Sequence, residues 1–166
     1  MSSTTEVISH WNTLIENFNT SPQQFYQAVS VAIQKRQIPN AKIEQIFWNE
    51  SHLLSAKREY LKISCKKDFH FAICGAPFGT GFFISYWLLQ PPDGCLVELF
   101  RPFPVLSGIA QALVRPWTYY RIDTASMFQT ATHSALMEVV DSITSAQGLR
   151  ALPEIERKPV MKGFLQ

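Results

Sequence analysis

The stretch that decides the fold is Lys66-Lys-Asp-Phe-His-Phe-Ala-Ile-Cys-Gly-Ala-Pro-Phe-Gly-Thr-Gly-Phe-Phe-Ile-Ser-Tyr-Trp-Leu-Leu-Gln90. Large apolar residues alternate with other residues over 69–74, a pattern that is typical of a β-strand. The glycine- and proline-rich residues 75–81 predict a loop, because glycine adopts positive φ at little cost. A second strand follows over residues 82–89. The stretch therefore predicts two strands joined by a loop.

The second strand is apolar on both of its faces. One face carries Phe82, Ile84, Tyr86 and Leu88, and the other carries Phe83, Ser85, Trp87 and Leu89. A strand of this kind needs cover on both sides, from a helix layer, a partner protein or lipid. We expect the protein itself to supply that cover, with a partner or a membrane surface as the alternatives.

The composition of the 166-residue chain indicates one domain that can bury a core without disulfides or metals. Hydrophobic residues make up 46%, but charged residues only 17%, below the usual quarter, which hints that apolar surface meets a partner. A net charge of +2 argues against nucleic acid as that partner. The three cysteines lack metal-type spacing, so we predict no zinc site, and no motif calls for a cofactor.

The segments on either side of the stretch complete the predicted fold. Residues 6–18 place apolar side chains at helical spacing, and Ser21, Pro22 and Gln24 form a capping-box start for a second helix, so residues 1–40 are predicted to be helical. Residues 41–100 hold the sheet, an antiparallel meander of about four strands that includes residues 43–48 and 58–65.

Residues 105–148 are predicted to form helices. A short apolar helix over 105–114 precedes a long one, which is capped by Asp123 or Thr124 and ends at Gly148. The long helix is expected to lie across the sheet with one apolar side, and the tail over residues 149–166 to pack loosely. The fold class is therefore α+β, in a single domain.

One group of polar residues is a candidate pocket. Tyr120 and Arg121 lie just before the predicted long helix, and Gln129 and His133 are one turn apart within it. Such side chains can line a ligand site, with the histidine as the group that titrates near neutral pH. The alternative is that His133 lies at the boundary of the apolar face and Asp123 only caps the helix.

Cys95 offers a different chemistry. It follows a helix and a predicted four-strand meander in the run Gly94-Cys95-Leu96, an order that resembles ubiquitin-conjugating enzymes. That resemblance implies an acyl-accepting thiol at Cys95. The His-Pro-Asn motif of those enzymes is absent, and Gln90-Pro91-Pro92 occupies its neighbourhood. The alternative is an ordinary half-buried cysteine, because no nearby residue in the sequence lowers its pKa.

Three further runs resemble an uncharacterised family of small bacterial proteins. They are residues 54–60, the Ala76-Pro-Phe-Gly-Thr-Gly-Phe-Phe83 run and the Tyr120-Arg-Ile-Asp-Thr-Ala-Ser-Met-Phe-Gln129 run, and the resemblance covers about residues 38–162. It implies a bacterial origin and a domain that works beside a membrane. Members often carry a long apolar segment after the Phe-Phe strand. Residues 91–117 depart from that pattern, because proline and charged residues interrupt them.

Two functions are compatible with these patterns. The first is a non-enzymatic binding or accessory module that contacts a protein partner or a second copy through its aromatic strand, with contact residues Phe78, Phe82, Phe83, Trp87, Tyr120, Arg121, Gln129 and His133. The second is a conjugating-type enzyme that uses Cys95. No apolar run reaches the roughly 20 residues of a spanning helix, and the sequence starts without a secretory signal. We therefore expect a cytoplasmic protein, with peripheral membrane contact as a further alternative.

Overall fold

The structure is a computed structural model that describes residues 6–18, 20–48, 58–65, 68–91 and 117–161. Within these residues an antiparallel sheet is packed against helices, which confirms the α+β class. The elements in chain order are β1 (Glu6–Glu16), α1 (Pro22–Lys35), β2 (Ala41–Trp48), β3 (Arg58–Cys65), β4 (Phe69–Phe78), β5 (Gly81–Gln90), α2 (Tyr119–Ala146), α3 (Glu154–Arg157) and β6 (Val160–Met161).

The six strands form one sheet in the order β2-β3-β4-β5-β1-β6. The predicted meander is present as β2 to β5, in which each strand pairs with the next. The first strand of the chain then lies beside the last strand of the meander, with Trp11 opposite Tyr86. Consequently β5, the strand with two apolar faces, has a neighbour on each side.

The prediction of a helix over residues 6–18 is wrong, because Glu6–Glu16 forms β1. A bulge between Val7 and Ser9 shifts the pairing by one residue, so Ile8 and Ser9 are both buried. The bulge disguises the period of two, and the apolar positions then mimic helical spacing. Residues 6–16 form a strand because they pair with β5 along their whole length. β-branched residues such as Val7, Ile8 and Ile15 also favour a strand.

The helix α1 begins as predicted. Ser21 is the N-cap, its side chain accepts a hydrogen bond from the Gln24 backbone N–H at 3.1 Å, and the Gln24 side chain reaches back to the Ser21 N–H at 3.5 Å. Pro22 occupies the first turn. One side of the helix packs on the sheet through its buried residues Phe25, Tyr26, Val29, Ala32 and Ile33.

The predicted loop over residues 75–81 is shorter than expected, since β4 continues to Phe78 and only residues 79–80 form the turn. Gly75 serves close packing instead of chain reversal. A Cβ atom there would lie 2.4 Å from the ring of Phe25, and the Gly75 N–H donates to the Tyr26 hydroxyl at 3.1 Å. Pro77 is tolerated because the β3–β4 pairing extends only to Ile73, which leaves this end of β4 paired with β5 alone.

The helix α2 crosses the inner side of the sheet and closes the core. It starts earlier than predicted, at Tyr119, with Thr118 as the N-cap, and it is followed by Gly148 at φ 67°. Phe128 packs edge-to-face on Phe71 of β4, with ring centroids 5.0 Å apart. The predicted apolar side is confirmed for its buried residues Ala125, Phe128, Thr132, Leu136 and Val139, whereas Ala146 is exposed.

The described part of the tail, residues 149–161, holds no buried residue but is attached to the rest of the protein at several points. Val160 and Met161 add β6 to the edge of β1, and the Trp11 indole donates to the Glu156 carbonyl oxygen at 2.6 Å. Arg157 makes a bidentate ion pair with Asp141 of α2, at 2.9 and 2.5 Å. Residues 154–161 therefore connect the sheet edge to the long helix.

The predicted helix over residues 105–114 lies outside the described residues. Within the described ranges, none of the helices combines the length and the apolar character that membrane crossing requires.

Candidate functional site

The sheet has two different faces. The inner face packs on α1 and α2, and the opposite face, which we call the outer face, carries the alternate side chains of each strand. At its centre lies Trp87 of β5, between Ala72 of β4 and His10 of β1. The Trp87 and His10 rings stack with centroids 5.0 Å apart and planes 18° apart, and the Trp87 side chain remains 40% exposed.

Small residues lie next to this stacked pair on β4 and β5. Ala72, Cys74 and Ser85 are all buried on the outer face, although their side chains are short. Exposed Val7 and Leu14 lie on either side of His10 along β1, and half-buried Phe83 lies on the same strand as Trp87. The outer face thus offers an apolar surface with an aromatic ridge.

The charged residues of the outer face are mixed in sign. Lys62 and Arg58 lie on β3 and Lys42 on β2, whereas Glu44 lies on β2 and Glu16 on β1. Burial, and to a lesser degree the positive charge of Lys62, lowers the pKa of His70 from 6.5 to about 4. His70 is therefore neutral near pH 7 and adds no charge to this surface.

The aromatic residues predicted as contact residues divide between the two faces. Trp87 and Phe83 lie on the outer face, and Phe78 stands beside the β4–β5 turn with 69% of its surface exposed. Phe82 is only 1% exposed and packs between Phe18 and Phe25 in the core. We therefore remove Phe82 from the candidate contact surface.

A chain of buried polar groups joins the sheet to α2. Ser9 Oγ donates to Gln129 Oε1 at 2.6 Å, Gln129 Nε2 donates to the Tyr86 hydroxyl at 2.7 Å, and that hydroxyl lies 3.2 Å from His133 Nδ1. The residues come from β1, β5 and α2. Each side chain of this polar chain thus has a hydrogen-bonding partner inside the protein.

Burial holds this polar chain in its neutral form. It raises the pKa of the Tyr86 hydroxyl and lowers the pKa of the His133 imidazole. The His133 ring also hydrogen-bonds the backbone of Arg157, which fixes its orientation. A neutral imidazole whose Nδ1 faces a hydroxyl fits a structural hydrogen bond. The arrangement positions α2 on the sheet and directs none of these hydrogen bonds toward solvent.

The other members of the predicted pocket are elsewhere. Tyr120 is 70% exposed, and the Arg121 guanidinium lies over the rings of Phe69 and Trp117, at 5.9 and 5.4 Å from their centroids. Of the four predicted residues, the structure brings together only Gln129 and His133, and they meet inside the core.

Neither cysteine among the described residues is placed as a reactive thiol. Cys95 lies outside them, so the acyl-acceptor hypothesis stays a prediction. Cys65 and Cys74 are buried, and burial raises the pKa of the Cys74 thiol, which disfavours the reactive thiolate. Within the described ranges, no cluster of three or more His, Cys, Asp or Glu side chains is placed to hold a metal ion.

Sequence reasoning missed the contribution of β1 to the outer face. His10 and Leu14 belong to this surface, but the predicted helix assigned them no common face with Trp87. The alternation of His10, Asn12 and Leu14 with Trp11, Thr13 and Ile15 was the available signal.

The chain matches no protein-family model, no curated protein and no solved structure. The similarities to a small bacterial family and to ubiquitin-conjugating enzymes therefore stay predictions.

Proposed function

We propose that the protein is a non-enzymatic binding module that receives a protein partner on the outer face of its sheet. The observation that supports this proposal is the Trp87–His10 stack. A tryptophan at the centre of a sheet face, 40% exposed and held flat by a second ring, is a large apolar contact whose rotamer freedom is already reduced. Tryptophan is among the residues most enriched at interface hot spots.

The charges of the outer face favour a protein over a bilayer. Surfaces that lie on membranes combine apolar residues with many lysines and arginines, which meet anionic headgroups. Here Glu16 and Glu44 share the face with Lys62 and Arg58. Mixed charges around an apolar centre are typical of the polar rim of a protein interface.

The residues of the outer face also indicate what kind of partner would fit. The exposed apolar side chains of Trp87, Val7 and Leu14 suit a row of apolar side chains on the partner, and Lys62 and Arg58 lie on β3, toward the other side of the sheet. We propose an amphipathic segment that places its apolar stripe on Trp87 and its acidic side chains toward β3.

The test selects amphipathic peptides from a display library on the wild-type protein and measures their affinity by calorimetry. We expect Trp87→Lys to weaken binding by about tenfold or more, and Lys62→Glu to weaken it further for acidic peptides. Val31→Lys, an exposed position on α1, is the matched control and should leave the affinity unchanged.

Two results would contradict the proposal. Peptides that tolerate Trp87→Lys but lose affinity to Val31→Lys would place the binding site on the helices. Co-flotation of the wild type with vesicles of phosphatidylcholine and phosphatidylglycerol that depends on Trp87 would make a bilayer the occupant of the outer face.

A further inference from the structure

The two edges of the sheet are protected differently. At one edge, β6 and the Trp11–Glu156 hydrogen bond cover part of β1. At the other edge, the described residues pair β2 with β3 only. The β2 strand is regular from Ala41 to Trp48, without a bulge or a proline. Exposed edges usually carry bulges, prolines or charged side chains, because unpaired N–H and C=O groups recruit another strand, and of these β2 has only the charges of Lys42 and Glu44.

We propose that β2 is a self-association strand, which pairs antiparallel with β2 of a second copy of this chain. Opposite residues of an antiparallel pair point to the same face, so a two-fold axis must pass through a residue position. Asn40 at φ 57° has left the extended conformation, which limits the ladder to β2 itself. The two longest ladders then run over residues 42–48, centred on Gln45, and 41–47, centred on Glu44.

Charge selects between these two registers. A centre at Glu44 places two carboxylates directly opposite each other, which is destabilising. A centre at Gln45 places two neutral amides there and sets Ile43 opposite Phe47 of the second copy on both sides of the axis. Aromatic and β-branched residues form favourable cross-strand pairs. Phe47 is 68% exposed in the single chain, so this pairing covers an otherwise exposed ring.

The resulting dimer joins the two six-stranded sheets into one. Because the two-fold axis is perpendicular to the sheet, the helices of both copies lie on the same side and the two outer faces become continuous. The strand pairing involves none of Trp87, His10, Lys62 and Arg58, and of the outer-face residues used in the proposed function only Glu44 lies on β2. It therefore stands independently of the proposed function and adds a partner class, a second copy, at a different place.

A charge-swap experiment tests the register. Sedimentation equilibrium at about 100 μM should detect a wild-type dimer with affinity on the order of micromolar, as expected for a small interface. Gln45→Lys and Gln45→Glu each place like charges at the axis and should weaken the dimer by about tenfold or more. An equimolar mixture of the two variants should restore association, since Lys then faces Glu.

Further variants show whether a loss of the dimer comes from the β2 strand itself. Gln45 is exposed, so both substitutions should leave the thermal transition of the fold unchanged. Phe47→Lys should also weaken the dimer, whereas Gln27→Lys on α1 and Trp87→Lys should not. A wild type that stays monomeric at about 100 μM would overturn the proposal. So would a dimer that persists in both Gln45 variants, or a mixture that fails to associate.

Discussion

The two faces of the sheet come from the same strands, but their side chains are packed differently. On the inner face, Phe71, Tyr86 and Phe82 pack on α1 and α2. On the outer face, the neighbours of these residues differ among themselves, since Ala72 and Ser85 are buried and Trp87 keeps 40% of its surface exposed. The difference shows that an apolar strand face does not by itself identify core. The inner face supplies the core, whereas the outer face keeps part of its apolar area exposed at Trp87, Val7 and Leu14.

The largest expected effect tests that division directly. Phe71→Ala removes a ring with no exposure that packs on Tyr86 and Phe128, and should lower the free energy of unfolding by about 3–5 kcal/mol. Trp87→Ala should lower it by only about 1 kcal/mol, because the ring is partly in water already. Urea denaturation of both variants measures the contrast. Equal losses would mean that the outer face is part of the core.

The second prediction concerns the polar chain of the inner face. Tyr86→Phe keeps the ring but removes the hydroxyl, which leaves Gln129 Nε2 without its acceptor and His133 Nδ1 without its neighbour. We expect a loss of about 1–3 kcal/mol in the free energy of unfolding, the cost of an unsatisfied buried group. Tyr120→Phe is the matched control on the exposed start of α2. A catalytic or ligand-binding role would be favoured instead if Tyr86→Phe unfolded like the wild type.

The third and smallest effect is a pH dependence, since burial lowers the pKa of His70 on the outer face and of His133 against the inner face. The folded pKa of His70, about 4, lies below its ordinary value of 6.5, so the unfolded chain binds more protons between these values. Stability is therefore complete above pH 6.5 and falls on acidification toward pH 4. We expect the wild type to lose about 1–2 kcal/mol between pH 7 and pH 5 through His70.

His133 acts in the same direction, because burial also lowers its pKa. Urea titrations at the two pH values should show a smaller loss for His70→Gln than for the wild type, and a smaller loss for His133→Gln as well. A wild-type stability that is constant over this range would contradict the burial of both rings.

How far the sequence predicted the fold depends on whether the signal was local. The capping box of Ser21 and Gln24, the end of α2 before Gly148 and the alternation along β5 depend on neighbouring residues, and the structure confirms them. The assignment of β1 failed because strand pairing with β5 and the bulge at Val7–Ser9 are not local properties. Gly75 was misread for the same reason, since its function is to admit the ring of Phe25.

The candidate site was predictable only in part. Trp87 and Phe83 could be identified from the two-sided pattern of one strand. His10 could not, because it reaches Trp87 only through the placement of β1 beside β5. Gln129 and His133 both hydrogen-bond the Tyr86 hydroxyl, a meeting that depends on Tyr86 and, through Gln129, on Ser9, which come from distant parts of the chain.

The hydrogen bond between Trp11 and Glu156 joins residues that are 145 positions apart. Together with the β1–β6 pairing, it makes the order of synthesis matter. The strand β1, which lies beside β5 in the sheet, is synthesised before β5, whereas the segment that fastens its edge is synthesised 145 residues later. Contacts of such separation slow folding. The nascent chain must therefore hold β1 and its apolar residues without their final edge cover until residue 161 has emerged.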